Sequence, residues 1–133
     1  METFNNVSKT IGQRGRRGAL MISMDVNHPE IKDFINAKTQ NEKLEGCNIS
    51  VKVDNSFMTR VIAGDTDATP LMYLLSKNNW DWGEPGMLFW DNINKETLLS
   101  EYINKGEFEF AGVNPCAEET LPAGGSCLLG SIN

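Results

Sequence analysis

Apolar and polar positions along this chain follow two periods, and the points where the period changes mark out its elements. Phe4, Val7 and Ile11 recur at helical spacing, so residues 4–11 predict the tail of a helix. Residues 19–25 (A-L-M-I-S-M-D) alternate imperfectly and predict a largely buried strand. His28-Pro29-Glu30 then opens a helix: proline suits the first turn, and an acid suits the positive end of the helix dipole. Ile31, Phe34 and Ile35 form its apolar stripe, and it is expected to end near Lys38-Thr39. Residues 48–54 (N-I-S-V-K-V-D) alternate cleanly, with Ile49, Val51 and Val53 on one face of a half-buried strand. Cys47 at its head reads as a packing residue. A short helix from Asn55 or Ser56 is expected to bury Phe57, Met58, Val61 and Ile62 and to stop at Gly64. Thr69-Pro70 predicts a cap and first turn for a helix burying Leu71, Met72, Leu74 and Leu75.

Gly83-Glu84-Pro85-Gly86 predicts a tight turn into a buried strand over Met87–Asp91. Residues 95–104 predict a helix with Leu98, Leu99, Tyr102 and Ile103 inward, closed by Gly106. Phe108 and Phe110 suggest one more extended piece. Strands alternating with helices predict the α/β class. With 133 residues, no internal repeat and no linker, the chain is read as a single domain, 1–133.

Composition narrows the function classes. The apolar share of 40% and charged share of 23% are ordinary for a globular protein. No apolar run approaches the roughly 20 residues of a membrane span, and the start lacks a secretion signal, so a cytoplasmic protein without membrane partners is expected. A net charge of −6 argues against nucleic acid as a partner. The cysteines at 47, 116 and 127 form no Cys-x-x-Cys pair, and the lone His28 reads as a helix-start residue. No metal site is therefore expected.

Two segments carry candidate chemistry. In residues 12–18 (G-Q-R-G-R-R-G), glycines allow main-chain N–H groups to approach an anion while guanidinium forks bind phosphate. The segment lacks the Lys-Ser/Thr ending of a Walker A loop and the dinucleotide-binding glycine pattern. A solvated basic turn and a nucleic-acid segment built on Arg14, Arg16 and Arg17 are the alternatives. In residues 114–133, Cys116 stands two residues from Glu118 and eleven before Cys127. An extended backbone would put Cys116 and Glu118 on the same side. A thiol beside an acid–base group, with a second thiol nearby, suits redox or radical chemistry. Buried free cysteines in a loop would give the same pattern.

Four stretches in order resemble the large catalytic subunit of ribonucleotide reductase: G-Q-R-G-R-R-G-A-L-M-I-S-M-D-V-N-H-P-E-I-K-D-F-I, N-I-S-V-K-V-D-N-S-F-M, G-E-P-G-M-L-F-W-D-N-I-N, and F-E-F-A-G-V-N-P-C-A-E-E-T-L-P with S-C-L-L-G-S-I-N. The resemblance implies part of a ten-stranded α/β barrel with a loop threaded through its centre. It implies thiyl-radical reduction of ribonucleoside di- or triphosphates to deoxyribonucleotides. Cys116 would abstract the 3′ hydrogen, Glu118 would take the 3′-OH proton, Asn114 would hydrogen-bond substrate, and Cys127 would be one of two reducing thiols. Residues 12–18 match a specificity loop between substrate base and effector nucleotide, with Gln13, Arg17, Gly15 and Gly18 as contacts; Arg14 stands where glycine is more usual. Residues 112–133 match the active-site loop and the reducing-cysteine segment.

The resemblance places no cofactor directly in this segment. Adenosylcobalamin or a metal-containing small subunit would supply the radical, and the F-A-G-V-N-P-C-A-E-E pattern leans towards cobalamin. A thioredoxin-type reductant would act through C-terminal cysteines absent here. The second reducing cysteine is also absent, and Cys47 does not match it. The region 62–80 reads as shorter than in the family. A segment of a longer or split subunit, inactive alone, is therefore expected; a non-catalytic remnant or assembly module is the alternative.

Overall fold

The computed structural model describes residues 1–11, 15–16, 18–39 and 44–133. Helix α1 spans Glu2–Thr10, strand β1 Met21–Asp25, helix α2 Ile31–Ile35 and strand β2 Asn48–Val53. Helices α3 (Asn55–Ile62) and α4 (Ala68–Trp82) lead to β3 (Gly86–Phe89), then α5 (Trp90–Glu96) and α6 (Ser100–Asn104). A two-stranded hairpin, β4 (Gly112–Val113) with β5 (Thr120–Leu121), follows. The first three strands form a parallel sheet in the order β1-β2-β3, with Ile22 beside Ile49 and Val51 beside Met87. Parallel neighbours need crossover connections, which α2 supplies between β1 and β2 and α3 with α4 between β2 and β3.

Strand side chains alternate between faces, and the two faces of this sheet differ in chemistry. Ile49, Val51 and Val53 of β2 are at most 1% exposed and pack in one cluster with Val26, Ile31, Phe34, Ile35, Phe57, Ala68 and Leu75. Ile22, Met24 and Met87 pack against the same cluster. The opposite face carries Ser23, Asp25, Asn48, Ser50, Lys52 and Gly86, with Met21 and Leu88 as its apolar members. Gly86 has a local reason, since a Cβ there would lie 2.8 Å from the Ser50 hydroxyl oxygen.

Polar side chains tie the layers together. Glu84 accepts a hydrogen bond from the Ile49 N–H (3.2 Å) and pairs with Lys38, joining the head of β2 to two turns. The Asn78 amide on α4 donates to the Ile35 carbonyl (3.1 Å) and to Asn36 Oδ1 (2.9 Å). That bond takes up a carbonyl at the end of α2, which closes after Ile35 rather than reaching Lys38-Thr39.

Several other boundaries differ from the periodicity. Strand β1 begins at Met21 rather than residue 19. Helix α4 starts at Ala68, one residue before Thr69-Pro70, because the Asp65 carboxylate accepts from the Ala68 N–H (2.8 Å) and the Asp67 N–H (3.0 Å). Trp90 and Asp91 open α5 instead of ending a strand. The single helix expected over 95–104 is broken at Thr97, whose hydroxyl accepts from the Leu99 N–H at 3.3 Å and offers the backbone an alternative to the helix. Its apolar stripe turns outward: Leu98 and Tyr102 are exposed, and Ile103 is half-buried. Ile62, expected inside, is 85% exposed. Phe108 and Phe110 meet edge to face, centroids 5.1 Å apart, outside any strand.

Helix α1 inverts its expected polarity. Phe4, Val7 and Ile11 are exposed, whereas Asn5 and Ser8 are buried. The Ser8 hydroxyl donates to the Gly46 carbonyl (2.6 Å), and the Gly46 N–H donates to Asn5 Oδ1 (2.8 Å). A Cβ on Gly46 would lie 3.0 Å from Asn5 and Lys9, so the contact needs glycine.

Asp65 gives the first prediction. Its hydrogen bond from Arg60, followed by those from Ala68 and Asp67, holds its carboxyl well below the usual carboxylate range. A carboxyl depressed on folding contributes stability above its unfolded pKa and loses it as pH falls towards the folded one. Asp65→Asn keeps the acceptor oxygen but removes the charge, and is expected to lower the melting midpoint at neutral pH. The gap from the parent should narrow as pH drops below about 4, which melts across pH would read directly.

Candidate active site

The candidate residues near the C-terminal end sit on the β4–β5 hairpin and the tail beyond it. Gly112 pairs with Leu121 and Val113 with Thr120. The ladder is extended by Ala111 N–H to Leu121 C=O (2.9 Å) and Asn114 N–H to Glu119 C=O (3.0 Å). Between Asn114 and Glu119 the backbone turns. The Ala117 N–H donates to the Asn114 carbonyl (3.0 Å), and the Glu119 N–H donates to Asn114 Oδ1 (3.1 Å). Asn114 therefore uses its side-chain oxygen to shape the tip, while its amide N–H groups have no partner among the described residues.

The tip corrects one expectation. Residues 115–119 are not extended, and Ala117 has φ +67°, in the left-handed region. The every-second-residue argument for Cys116 and Glu118 does not apply across such a turn. The two side chains share the tip because the turn is tight, and both are exposed. A left-handed non-glycine residue between them is the kind of backbone strain that collects at functional positions.

Cys127 lies in the 126–133 segment, which has no regular structure and is exposed throughout. The structure brings Asn114, Cys116 and Glu118 together and leaves Cys127 on a tail beyond them. Cys47 is the buried thiol: it is 2% exposed, its thiol lies 3.8 Å from the Leu44 carbonyl, and burial pushes its pKa up. That environment suits packing, as expected, rather than a nucleophile. His28 Nδ1 accepts from the Glu30 N–H (3.1 Å), the helix-start role read from its position.

Of the 12–18 segment, Gln13 and Arg17, with Gly12 and Arg14, lie outside the described residues. Gly15 has φ +86°, which favours glycine. Gly18 packs against the end of α1, where a Cβ would lie 2.7 Å from the Ile11 carbonyl and 2.8 Å from that of Ser8. Gly18, Leu20, Gly46, Cys47 and Asn48 line a cavity of about 480 Å³ beside α1.

Two residues that sequence reasoning passed over connect these parts. Asn48 donates its backbone N–H to Leu20 C=O (2.7 Å), just past Gly18, and its side-chain amide to Pro115 C=O (2.8 Å), beside Cys116. Lys52 donates to Ala111 C=O (2.6 Å) and lies over the Trp90 ring, 3.9 Å from its centroid. Burial pushes the Lys52 pKa down, opposed by the charges of Asp25 and Glu109. The available signal was a lysine at a mid-strand position otherwise flanked by valines.

The model of the ribonucleotide reductase barrel-domain family matches residues 1–67 and 64–133. The two matches meet in the turn between α3 and α4, within the 62–80 region that reads as short. A vitamin B12-dependent ribonucleoside-diphosphate reductase of Thermoplasma acidophilum is 33% identical over 150 residues, covering 100% of this chain and 19% of that protein. The reductase of the same name from Mycobacterium tuberculosis strain H37Rv is 31% identical, covering 100% of this chain and 20% of that protein. A vitamin B12-dependent ribonucleotide reductase of Streptomyces coelicolor is 28% identical, covering 92% of this chain and 16% of that protein. The chain thus spans at most about a fifth of the length of these relatives.

Proposed function

This chain belongs to the ribonucleotide reductase barrel-domain family, and on that premise we propose that residues 1–133 form the partial-barrel segment of a catalytic subunit that reduces ribonucleotides to deoxyribonucleotides. The observation that carries the reading is a hairpin tip presenting an exposed thiol and an exposed carboxylate, shaped by Asn114 and seated on the polar face of the sheet. Cys116 as a thiyl radical takes the 3′ hydrogen of the ribose and later returns it. Glu118 shares the 3′-OH proton, a general-base role within reach of a carboxylate. The Asn114 amide orients the substrate hydroxyl. The 2′-OH leaves as water, and two thiols supply the two electrons and close a disulfide. Cys127 is one of them; its partner comes from outside this chain.

Gln13, Gly15, Arg17 and Gly18 are proposed to line the substrate and effector side. The relatives' vitamin B12 dependence favours adenosylcobalamin over a metal-bearing small subunit as the radical source. Neither the cavity beside α1 and Gly46 nor the one between α2 and α4 is lined by Cys116. No residue here is therefore assigned to hold it. The remainder of the subunit and a thioredoxin-type reductant complete the proposed partners, in the cytoplasm.

A second reading, an assembly module without turnover, draws on exposed apolar side chains: Phe4 and Val7 on α1, Ile11 just after it, and Leu98 and Leu99 before α6. One experiment separates them. The chain is mixed with polypeptides supplying the flanking parts of a B12-dependent subunit, adenosylcobalamin, a dithiol and ribonucleotide. Deoxyribonucleotide formation is expected. Complex formation without product, while a full-length control turns over, would establish the assembly reading instead.

A further inference from the structure

On the polar face of the sheet, two side chains of β2 reach the arm of the hairpin and hold it there. Asn48 and Lys52 stand four residues apart on β2, on the same face because both are even-numbered positions of one strand. Their acceptors, the carbonyls of Pro115 and Ala111, are also four residues apart. The order is reversed: Asn48 takes Pro115 and Lys52 takes Ala111, so the arm 111–115 runs antiparallel to β2 across its face. Both strand and arm advance by roughly 3.3 Å per residue when extended, so the two pairs match over about 13 Å.

We propose that Asn48 and Lys52 form a register clamp: two positioning residues that fix the height of the Cys116–Glu118 tip along β2 and prevent the arm from sliding over the sheet.

The choice of acceptors supports this role. Within the hairpin, Ala111 spends its N–H on Leu121, leaving its carbonyl for Lys52. Pro115 has no N–H, so its carbonyl is the only main-chain group through which it can be held. An arm lying over a face rather than beside an edge cannot form a backbone ladder with β2. Side chains must supply the donors. Without them the attachment would rest on undirected apolar contact. Two directed bonds of fixed spacing specify one register.

Lys52 is itself held in place. Its ammonium lies over Trp90, at the start of α5. Asp25 is its registered neighbour on β1, and Glu109 precedes the arm; both carboxylates act on its charge. Asn48 is fixed through its backbone bond to Leu20. The clamp thus ties the hairpin to the strand that follows the 12–18 segment, as well as to β2. A hairpin with two-residue strands is marginal by itself, so its order depends on this attachment.

The inference concerns the hairpin named in the proposed function and draws its catalytic meaning from that reading. Its test reads docking rather than turnover, so a clamp can be established in a chain that makes no deoxyribonucleotide, and the converse. Amide hydrogen exchange at Ala111, Asn114, Ala117 and Glu119 would be measured by NMR in the parent chain, Lys52→Met, Lys52→Arg and Asn48→Ala. Amides of the folded body away from the clamp, at Phe34 (bonded to the Glu30 carbonyl) and Phe57 (bonded to the Asp54 carboxylate), serve as the fold control.

Loss of a charge-assisted bond is expected to raise hairpin exchange about tenfold or more in Lys52→Met, with the control amides at Phe34 and Phe57 unmoved. Lys52→Arg keeps a cation and is expected to stay within about threefold of the parent. Methionine keeps the apolar stem, so generic packing would instead be served equally by both variants. Nitroxide labels on Cys116 and on a Tyr73→Cys site, in a Cys127→Ser background, give a second readout. The distance distribution should broaden or shift in Lys52→Met and Asn48→Ala. If Lys52→Met unfolds the chain, Lys52→Arg and Asn48→Ala carry the test. Unchanged hairpin exchange and an unchanged distance distribution in Asn48→Ala, with equal behaviour of the folded Lys52 variants, would overturn the clamp.

Discussion

Cys116→Ser in the complemented subunit is expected to lower deoxyribonucleotide formation on the order of a thousandfold or more, to the background of the assay. The reason is chemical rather than structural. A sulfur radical exchanges hydrogen with carbon reversibly, which lets one residue take the 3′ hydrogen and give it back; a serine hydroxyl cannot be cycled in this way. Cys116 is exposed at the hairpin tip, so the change removes no core contact, and the melting midpoint should stay where it was. Glu118→Gln is expected to lower product formation by a smaller factor, roughly a hundredfold or more, because it removes the proposed proton acceptor but leaves the proposed radical carrier. Chromatography of the reaction products measures both. Undiminished product in Cys116→Ser would remove the proposed chemistry from this residue.

Phe34→Ala is the largest expected effect on stability, about 3–5 kcal/mol. Phe34 is 1% exposed and lies in the cluster joining α2 to β2, α3 and α4. Truncating it removes apolar surface and leaves a cavity that neighbouring β-strand side chains cannot collapse to fill. Domains of this kind hold about 5–15 kcal/mol in total, so the variant should lose a third or more of its stability and unfold at clearly lower urea. Leu98→Ala offers the contrast. Its side chain is fully exposed, and the substitution should shift stability by no more than about 0.5 kcal/mol. Equal effects of the two would mean that the core lies elsewhere.

Leu98 and Phe34 look alike in the sequence. Both fall in helical spacing with other apolar residues, yet one meets α4 and the sheet and the other meets nothing described. Periodicity reports which residues could share a face; it carries no information on whether another element lies opposite. The same reasoning separates Ile49, Val51 and Val53, read correctly as one buried face, from Phe4, Val7 and Ile11, whose helix turns Asn5 and Ser8 inward instead. A strand between two neighbours has its apolar face decided by alternation alone. A helix at the margin of the sheet is placed by whichever contacts the remaining chain offers, here the backbone of Gly46.

What the sequence determined by itself was the class, the order of strands and helices from α1 to β3, the buried face of β2, and the family carried by its ordered motifs. These depend on local period, on turn residues and on residue identity, all of which are local in the chain. The tertiary structure decided the rest. It replaced an extended Cys116–Glu118 segment with a turn whose Ala117 is left-handed, because Asn114 closes the loop with its own carbonyl and side-chain oxygen. It also selected Asn48 and Lys52 as the residues that meet the hairpin, from contacts that span 67 and 59 positions of sequence. Their hydrogen bonds exist only once the arm crosses the polar face of β2, and no spacing within either segment encodes that crossing.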